Sequence, residues 1–452
     1  MSERVKKMIE RLGEKLSVVE REALEAKAEL WATVEKAGGA RKYVEAELRR
    51  RGVFVERQDV LAMGFDEKKA YVERVKAEEE VRHPLQAKVW AAYTALHITH
   101  LGEEVFWQGD VSVDFFDPDN LAARLEHKGL PALETPEDLC EALGITLSEL
   151  RWLCYHREAA TSLHYRTFEI PKKSGGVRRI WAPMPKLKAT QEWILRNIAE
   201  RLPTHGAAHG FIGGRSIYSN ALEHAGSKLI VSMDLADFFP SFTFKRVKGI
   251  FRQAGYKDGI AALLALLCTE APREVTEHEG QRYYLALGPR CLPQGSPASP
   301  ALTNAACLRL DRRLAGWAER AGWRYTRYAD DLTFSVPVGA EGEPSVSQLL
   351  GVVRAIVEEE GLVVREDKTH VMRAGARHQV TGLVVNGSGS PRPPRALRRR
   401  VRAMVHHVVS GRGLQEGESL GRLVGFVAYI YMCDPVEGRR LLEGLRQIES
   451  LG

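Results

Sequence analysis

The segment RYTRYADDLTFSV (Arg324–Val336) decides how the rest of the chain is read. Two runs of β-branched and aromatic residues, RYTR and LTFSV, favour strands. Between them sits a tight corner, Tyr328-Ala329-Asp330-Asp331. An ordinary hairpin turn would carry Asn-Gly or Asp-Gly here. Adjacent carboxylates at a hairpin tip repel each other unless a cation joins them. Oxygen-only donors of this kind suit Mg²⁺, which takes one or two protein carboxylates and completes its shell with substrate phosphates and water. An Asp-Asp pair alone is weak evidence, because most such pairs are solvated loop charges.

A second acid, Asp234, closes another apolar run, Leu229-Ile-Val-Ser-Met-Asp234. If the two strands are neighbours, Asp234 and Asp330 face each other across a pair of metal ions. Two such ions can activate a 3′-hydroxyl and stabilise a leaving pyrophosphate. The two segments together are far more specific than either one.

Working outward, three zones appear. Residues 1–135 read as a helical extension. Val5, Met8, Ile9, Leu12, Leu16 and Val19 fall at helical spacing, and EEVFWQGDVSVDFFDPDN carries a short strand among turn formers. Residues 136–390 mix β-rich runs (LIVSMDL, QVTGLVVN) with helical ones (ATQEWILRNIAERL, SQLLGVVRAIVEEEGL), an α+β pattern. GAEGEP (Gly339–Pro344) reads as a loop or hairpin tip. Residues 391–452 follow the joint NGSGSPRPP; seven arginines between Arg392 and Arg412 come with no acid, and apolar helical sequence follows. That joint and basic helix predict a mobile subdomain that grips a phosphate backbone.

Composition sets outer limits. The 452 residues are 44% hydrophobic and 27% charged, with 65 Lys+Arg against 59 Asp+Glu for a net +6. This is the balance of a folded globular chain, compatible with a polyanionic partner. Six scattered cysteines without a CxxC pair argue against a zinc ribbon or disulfide scaffold. The charged N-terminus lacks the apolar core of a signal peptide, and no run suits a membrane helix, so a cytoplasmic protein without a membrane partner is expected.

The motifs, in this order, resemble a known family. Asp234-Leu-Ala-Asp-Phe-Phe and Tyr328-Ala-Asp-Asp look like motifs A and C of reverse transcriptases, and the resemblance spans about Leu147 to Met432. It implies a right-hand polymerase of fingers, palm and thumb, with the mostly helical extension in front. Asp234, Asp330 and Asp331 would be catalytic and hold two Mg²⁺ ions, with Mn²⁺ as the alternative; Asp237 would be structural. Phe239 would sit under the incoming sugar and clash with a 2′-hydroxyl, while Phe238 enters the core.

Pro293-Gln-Gly-Ser-Pro-Ala-Ser-Pro300 is similar to motif B. There Gln294 would hydrogen-bond template or nucleotide, and Gly295 would let the backbone approach a base pair. Phe168–Ile180 reads as a β-hairpin with a Gly-Gly turn and resembles the fingers hairpin that binds dNTP phosphates. Lys172 and Arg178 match best, and Lys173 or Arg179 could take either role. Lys368 resembles the motif D lysine that assists the departing pyrophosphate.

Two further segments narrow the resemblance. Asn220-Ala-Leu-Glu-His224 and Val380-Thr-Gly382 look like signatures of retron reverse transcriptases. The resemblance implies an enzyme that binds a cognate structured noncoding RNA (msr-msd). It would prime from an internal guanosine 2′-hydroxyl and copy part of that RNA into branched RNA–DNA, msDNA. It also implies antiphage defence with an effector protein, and RNA removal by host RNase H. Structured RNA is read by shape and 2′-hydroxyls. The expected RNA contacts are Asn220, His224, Arg392, Arg395, Arg398, Arg399, Arg400 and Arg402. The competing readings are another bacterial reverse transcriptase, of group II intron or defence type, and a noncatalytic RNA-binding scaffold.

Overall fold

A computed structural model of the chain describes residues 18–58, 63–97, 121–154, 159–171, 175–278, 280–339, 344–387, 389–415 and 417–449. The amphipathic stretch from Val5 to Leu16, the EEVFWQGDVSVDFFDPDN segment, Lys172 and Lys173 lie outside the described residues. The chain forms two compact units, Met1–Ala160 with Phe251–Leu267, and Thr161–Ile250 with Cys268–Gly452.

The first unit is helical. Its leading helices are α1 (Val18–Lys36), α2 (Ala40–Arg50) and α3 (Phe65–His97). Ala40, Val44 and Leu48 recur every four residues on one face of α2 and are buried with Val34, Leu85 and Val89. Glu78 is fully buried in α3 and is satisfied by the Val55 N–H (2.8 Å), Arg57 (3.2 Å) and Arg82 (2.9 Å). Three short helices follow, α4 (Leu121–His127), α5 (Pro136–Leu143) and α6 (Leu147–Cys154), then the two-residue strand β1 (Ala159–Ala160). Thr135 opens α5 through a reciprocal cap with Asp138, ahead of Pro136 in the first turn.

The second unit opens with the hairpin β2 (Tyr165–Pro171) and β3 (Val177–Pro183), paired from Tyr165↔Pro183 to Pro171↔Val177. The Gly-Gly turn expected there is present: Gly175 and Gly176 have φ of 88° and 77°. Then come α7 (Pro185–Asn197), α8 (Ile217–Leu222), β4 (Ser227–Leu235) and α9 (Phe244–Ala254), whose last residues pass into the first unit; α10 (Asp258–Cys268) belongs to the first unit except for Cys268. A second hairpin, β5 (Arg273–His278) and β6 (Gln281–Ala286), leads to α11 (Ser299–Ala306) and α12 (Leu308–Arg320). The remaining elements are β7 (Arg324–Tyr328), β8 (Asp331–Pro337), α13 (Val346–Glu359), β9 (Val364–Arg373), β10 (Gln379–Val380), β11 (Leu383–Val384), α14 (Arg395–Val409), α15 (Leu420–Cys433) and α16 (Pro435–Glu449).

Four strands form one antiparallel sheet in the order β7-β8-β4-β9. Central β4 is buried nearly end to end, which is why it reads as a continuous apolar run rather than an alternation. Leu332, Phe334 and Val336 of β8 are fully buried beside it.

At the C-terminal end, α14, α15 and α16 share a core of Val401, Met404, Val405, Leu423, Val427, Ile430, Leu441 and Leu445. The joint before α14 is tied rather than loose. Arg392 and Val384 exchange two backbone hydrogen bonds of 2.8 and 3.0 Å across it, and Cys433 of α15 packs with Val380 and Leu383. These contacts cross the Gly/Pro-rich joint that the sequence reads as the start of a mobile subdomain. All six cysteines are free and buried. Among the described residues, no helix is long and apolar enough to cross a membrane.

Candidate active site

The sheet register brings the acids together. Asp234 on β4 pairs directly with Asp331 on β8, and the Leu235 N–H donates to the Asp330 carbonyl at 3.0 Å. Tyr328 pairs with Asp331, so Ala329 and Asp330 form a two-residue turn. Ala329 takes φ +56°, a left-handed conformation that alanine adopts only when its surroundings impose it. Gly210 explains part of the constraint, since a Cβ there would lie 2.7 Å from the Ala329 nitrogen.

Asp234 is buried and meets two cations from β9. Lys368 Nζ donates to its Oδ2 at 3.0 Å, and Arg365 Nε lies 3.6 Å from Oδ1. The reach of Lys368 has a local cause. Between the pairs Ser232↔His370 and Asp234↔Arg365, β4 advances by two residues while β9 advances by five. The extra residues form a bulge, the device by which sheets re-aim side chains beside active sites.

Repulsion within the cluster shows in its protonation. Enclosure by protein, then the negative charges of Asp330 and Asp234, push the Asp331 carboxyl up to about 7, against the pull of Lys368. Asp331 is nonetheless an exposed residue, so solvent screens much of that push and leaves its direction. Enclosure and Asp234 raise Asp330 in the same direction, while Lys368 and Arg178 pull it down. Arg178 of the β2–β3 hairpin is therefore within electrostatic reach of the acidic turn. Arg179 instead pairs with Glu169 at 3.3 Å, which separates the two arginines that the sequence left open.

The donor set fits divalent ions of the oxygen-preferring kind. Among the described residues no group of three or more acidic, histidine or cysteine side chains is placed to hold a metal ion by itself. Adjacent, mutually repelling carboxylates in an open site match an ion that keeps water and takes substrate oxygens.

A pH dependence follows. Between about 4 and about 7 the metal-free fold holds a proton on Asp331 that the unfolded chain releases, so metal-free stability falls as pH rises through that window. A divalent cation needs the ionised carboxylate and must displace that proton below about 7. Mg²⁺ is expected to raise the melting temperature more at pH 8 than at pH 6. Equal shifts at both would contradict the cluster's protonation.

Around the acids, Phe238 is buried against Phe242 (ring centroids 5.2 Å), whereas Phe239 is half-buried. Both lie in a turn after β4 rather than in a strand, so it is the turn that separates them. Phe211, half-exposed with φ +59°, places its ring 6.5 Å from Phe239 and 6.4 Å from Tyr328. Gln294 is half-buried and Gly295 exposed. The close approach that requires Gly295 is to β3: with φ +123°, a Cβ would fall 2.7 Å from the Trp181 carbonyl, and Trp181 N–H donates to the Gln294 carbonyl at 2.8 Å. Gly295 therefore packs closely against the β2–β3 hairpin while remaining exposed.

Two expected RNA contacts are corrected outright. Asn220 and His224 are fully buried and reach no surface. His224 bridges Ser335 of β8 and Thr326 of β7 at 2.7 Å each, and burial holds its ring down to about 3, hence neutral. Thr381 donates to the Ile217 carbonyl at 3.1 Å, and Ile217, Ala221, Val380 and Leu383 pack in one cluster. The NAxxH and VTG segments thus build the fold. Three basic-helix residues are also engaged elsewhere: Arg398 and Arg402 bind Glu437 (2.9 and 2.7 Å), and Arg400 binds Glu418 (2.8 Å). Arg392, Arg395 and Arg399 are exposed, and no ion pair engages them among the described residues.

Comparison with known proteins shows the family. The family described as "Reverse transcriptase (RNA-dependent DNA polymerase)" matches residues 170–397. The retron Mx162 reverse transcriptase of Myxococcus xanthus is 46% identical over 92% of this chain and 88% of its own. The chain belongs to the retron reverse transcriptases. The retron Ec86 reverse transcriptase of Escherichia coli is 33% identical over 72% of this chain and 93% of its own. A solved telomerase from Candida albicans, in complex with a fragment of telomeric RNA, matches 82% of this chain and 75% of its own at 14% identity; its TM-score of 0.36 is too low to carry weight. The retron enzyme is an RNA-directed DNA polymerase with the α+β right-hand fold and a helical N-terminal region.

Proposed function

We propose that this retron enzyme extends a primer on its own cognate RNA, using Asp234, Asp330 and Asp331 to hold two Mg²⁺ ions. The observation that carries the proposal is the direct pairing of Asp234 with Asp331 across β4 and β8, with Arg178 in reach of the same cluster. Once bound, the ions lower the cost of ionising the attacking hydroxyl and offset charge on the leaving pyrophosphate. The chain's own residues supply the rest. Arg178 and Lys172 bind the dNTP phosphates. Lys368 neutralises Asp234 before substrate arrives and then meets the pyrophosphate. Phe239 excludes a 2′-hydroxyl. Gln294 and Gly295 border the nascent base pair.

The retron-specific reading is that the template is a structured noncoding RNA, primed from an internal guanosine 2′-hydroxyl, and that the product is msDNA. Host RNase H and a defence effector act alongside the enzyme in the cytoplasm, in antiphage defence. In this division of labour residues 1–135 are an extension, 136–390 the fingers and palm, and 391–452 an RNA-gripping thumb. Its test is to purify the chain from cells and sequence the nucleic acid that comes with it. A structured RNA joined 2′–5′ to DNA is expected; DNA with an ordinary primed 5′ end, or none, would overturn the retron-specific reading.

Unpaired thumb cations mark the phosphate-binding face. Neutralising Arg395 and Arg399 together should flatten the log–log salt dependence of RNA binding by about 0.7–0.9 for each phosphate that is no longer neutralised. Neutralising Arg398 or Arg402, both tied to Glu437, should leave the slope nearly unchanged and lower the melting temperature instead. The opposite pattern in a filter-binding salt series would move the RNA to the other face of α14.

A further inference from the structure

Behind the acidic turn lies an ion pair with no exposure at either partner: Arg327 on β7 and Asp311 on α12. Arg327 Nε and Nη2 each donate to one Asp311 oxygen at 2.8 Å, and the Tyr325 hydroxyl donates to Asp311 Oδ1 at 2.9 Å. The remaining arm, Nη1, donates to the Ala329 carbonyl at 3.1 Å. A buried pair of this sort is a weak source of net stability, and apolar residues of similar volume commonly replace it without loss. Its geometry offers a different reason for being there.

We propose that the Arg327–Asp311 pair is a positioning strut, which fixes the strained Ala329 peptide and thereby the directions in which Asp330 and Asp331 present their carboxylates. Ala329 sits at φ +56°, where an alanine peptide left to itself would relax. Arg327 holds its carbonyl from one side. On the other, the Arg327 N–H donates to the Ala207 carbonyl and the His209 N–H to the Arg327 carbonyl, both at 2.8 Å. This brings the Gly210 backbone against the Ala329 nitrogen, while Asn304 Nδ2 donates to the Gly210 carbonyl at 2.8 Å. Only a planar guanidinium, locked by Asp311, serves the carboxylate fork and the turn carbonyl together; a lysine ammonium would satisfy Asp311 and release the turn. The inference rests on Asp330 and Asp331 being the ion-binding acids.

The test compares Arg327→Met/Asp311→Leu, Arg327→Lys and, as a control, Asp330→Asn in the full-length chain. Mn²⁺ binding is read by electron paramagnetic resonance without turnover, beside RNA affinity, melting temperature, and kcat and KM for dNTP. The double substitution keeps the core filled and should fold. Its Mn²⁺ affinity should fall by about 10- to 100-fold, the usual effect of removing support from a metal ligand, with kcat falling and RNA affinity unchanged. Arg327→Lys should move the same way despite keeping its charge. If the double variant fails to fold, Arg327→Lys decides. Wild-type Mn²⁺ affinity and kcat in the folded variant would overturn the strut. If Asp330→Asn itself retains Mn²⁺ binding and synthesis, the site assignment fails and not the strut alone.

Discussion

Asp330→Asn should reduce DNA synthesis by at least about a thousandfold, a loss of ~4 kcal/mol of transition-state stabilisation at 1.36 kcal/mol per tenfold. The substitution keeps the shape of the turn and removes one charge. Because Asp234 and enclosure both disfavour the ionised carboxyl at 330, that charge is a burden to the metal-free fold. The variant should therefore melt at the same temperature or higher without Mg²⁺, and bind RNA as before. Lost synthesis with undiminished stability identifies a group needed for chemistry. Lost synthesis with a lower melting temperature would point to a structural role, and retained synthesis would remove Asp330 from the reaction. Primer extension and thermal melting on the same preparation give the answer.

The second large effect concerns the sugar. Phe239 is half-buried, edge-on to Phe238 with ring centroids 5.6 Å apart, and its outer side faces Phe211. A ring held this way by its neighbours can reject a hydroxyl by collision, which is cheaper to build than a site that recognises the missing group. Phe239→Ala should lower the preference for dNTP over rNTP, measured as the ratio of kcat/KM values, by about a hundredfold, ~2.8 kcal/mol at 1.4 kcal/mol per tenfold. The effect should come mainly from faster rNTP use. Phe238→Ala provides the contrast: that ring is buried against Phe242, so its loss should cost about 3–5 kcal/mol of stability and leave sugar choice unchanged. An unaltered ratio in Phe239→Ala would exclude it as the gate.

The acids were legible because their spacing and setting are local. Two β-prone runs around Ala329-Asp330, and an apolar run ending at Asp234, are visible in one dimension, and strand pairing then does the rest. The fingers hairpin was equally legible from its Gly-Gly turn. What stayed hidden depends on long-range packing. Arg327 stands inside the very segment that decided the fold, yet nothing in the segment says that Asp311, on a preceding helix, will neutralise it. A buried-strand arginine beside an acidic turn was the available signal. Phe211 lies in the glycine-rich run His209-Gly-Phe-Ile-Gly-Gly214, whose permissive backbone hinted at a forced turn.

The RNA contacts misled for a related reason. Asn220 and His224 carry polar groups that look suited to nucleic acid, but burial and the Thr326 and Ser335 hydroxyls claim His224 for the interior. The arginine-rich helix looked acid-free because its acids, Glu418 and Glu437, come from later in the chain. Charge counted along a window cannot see partners that tertiary structure delivers.

The most direct measurement of the central claim is an anomalous-difference map from crystals of the enzyme with its RNA, a non-hydrolysable dNTP and Mn²⁺. Two peaks bridging the triphosphate to Asp234, Asp330 and Asp331 are predicted, with Lys368 withdrawn from Asp234. Strong peaks elsewhere, or a bound triphosphate with Lys368 still on Asp234 and no peak at the three acids, would contradict it.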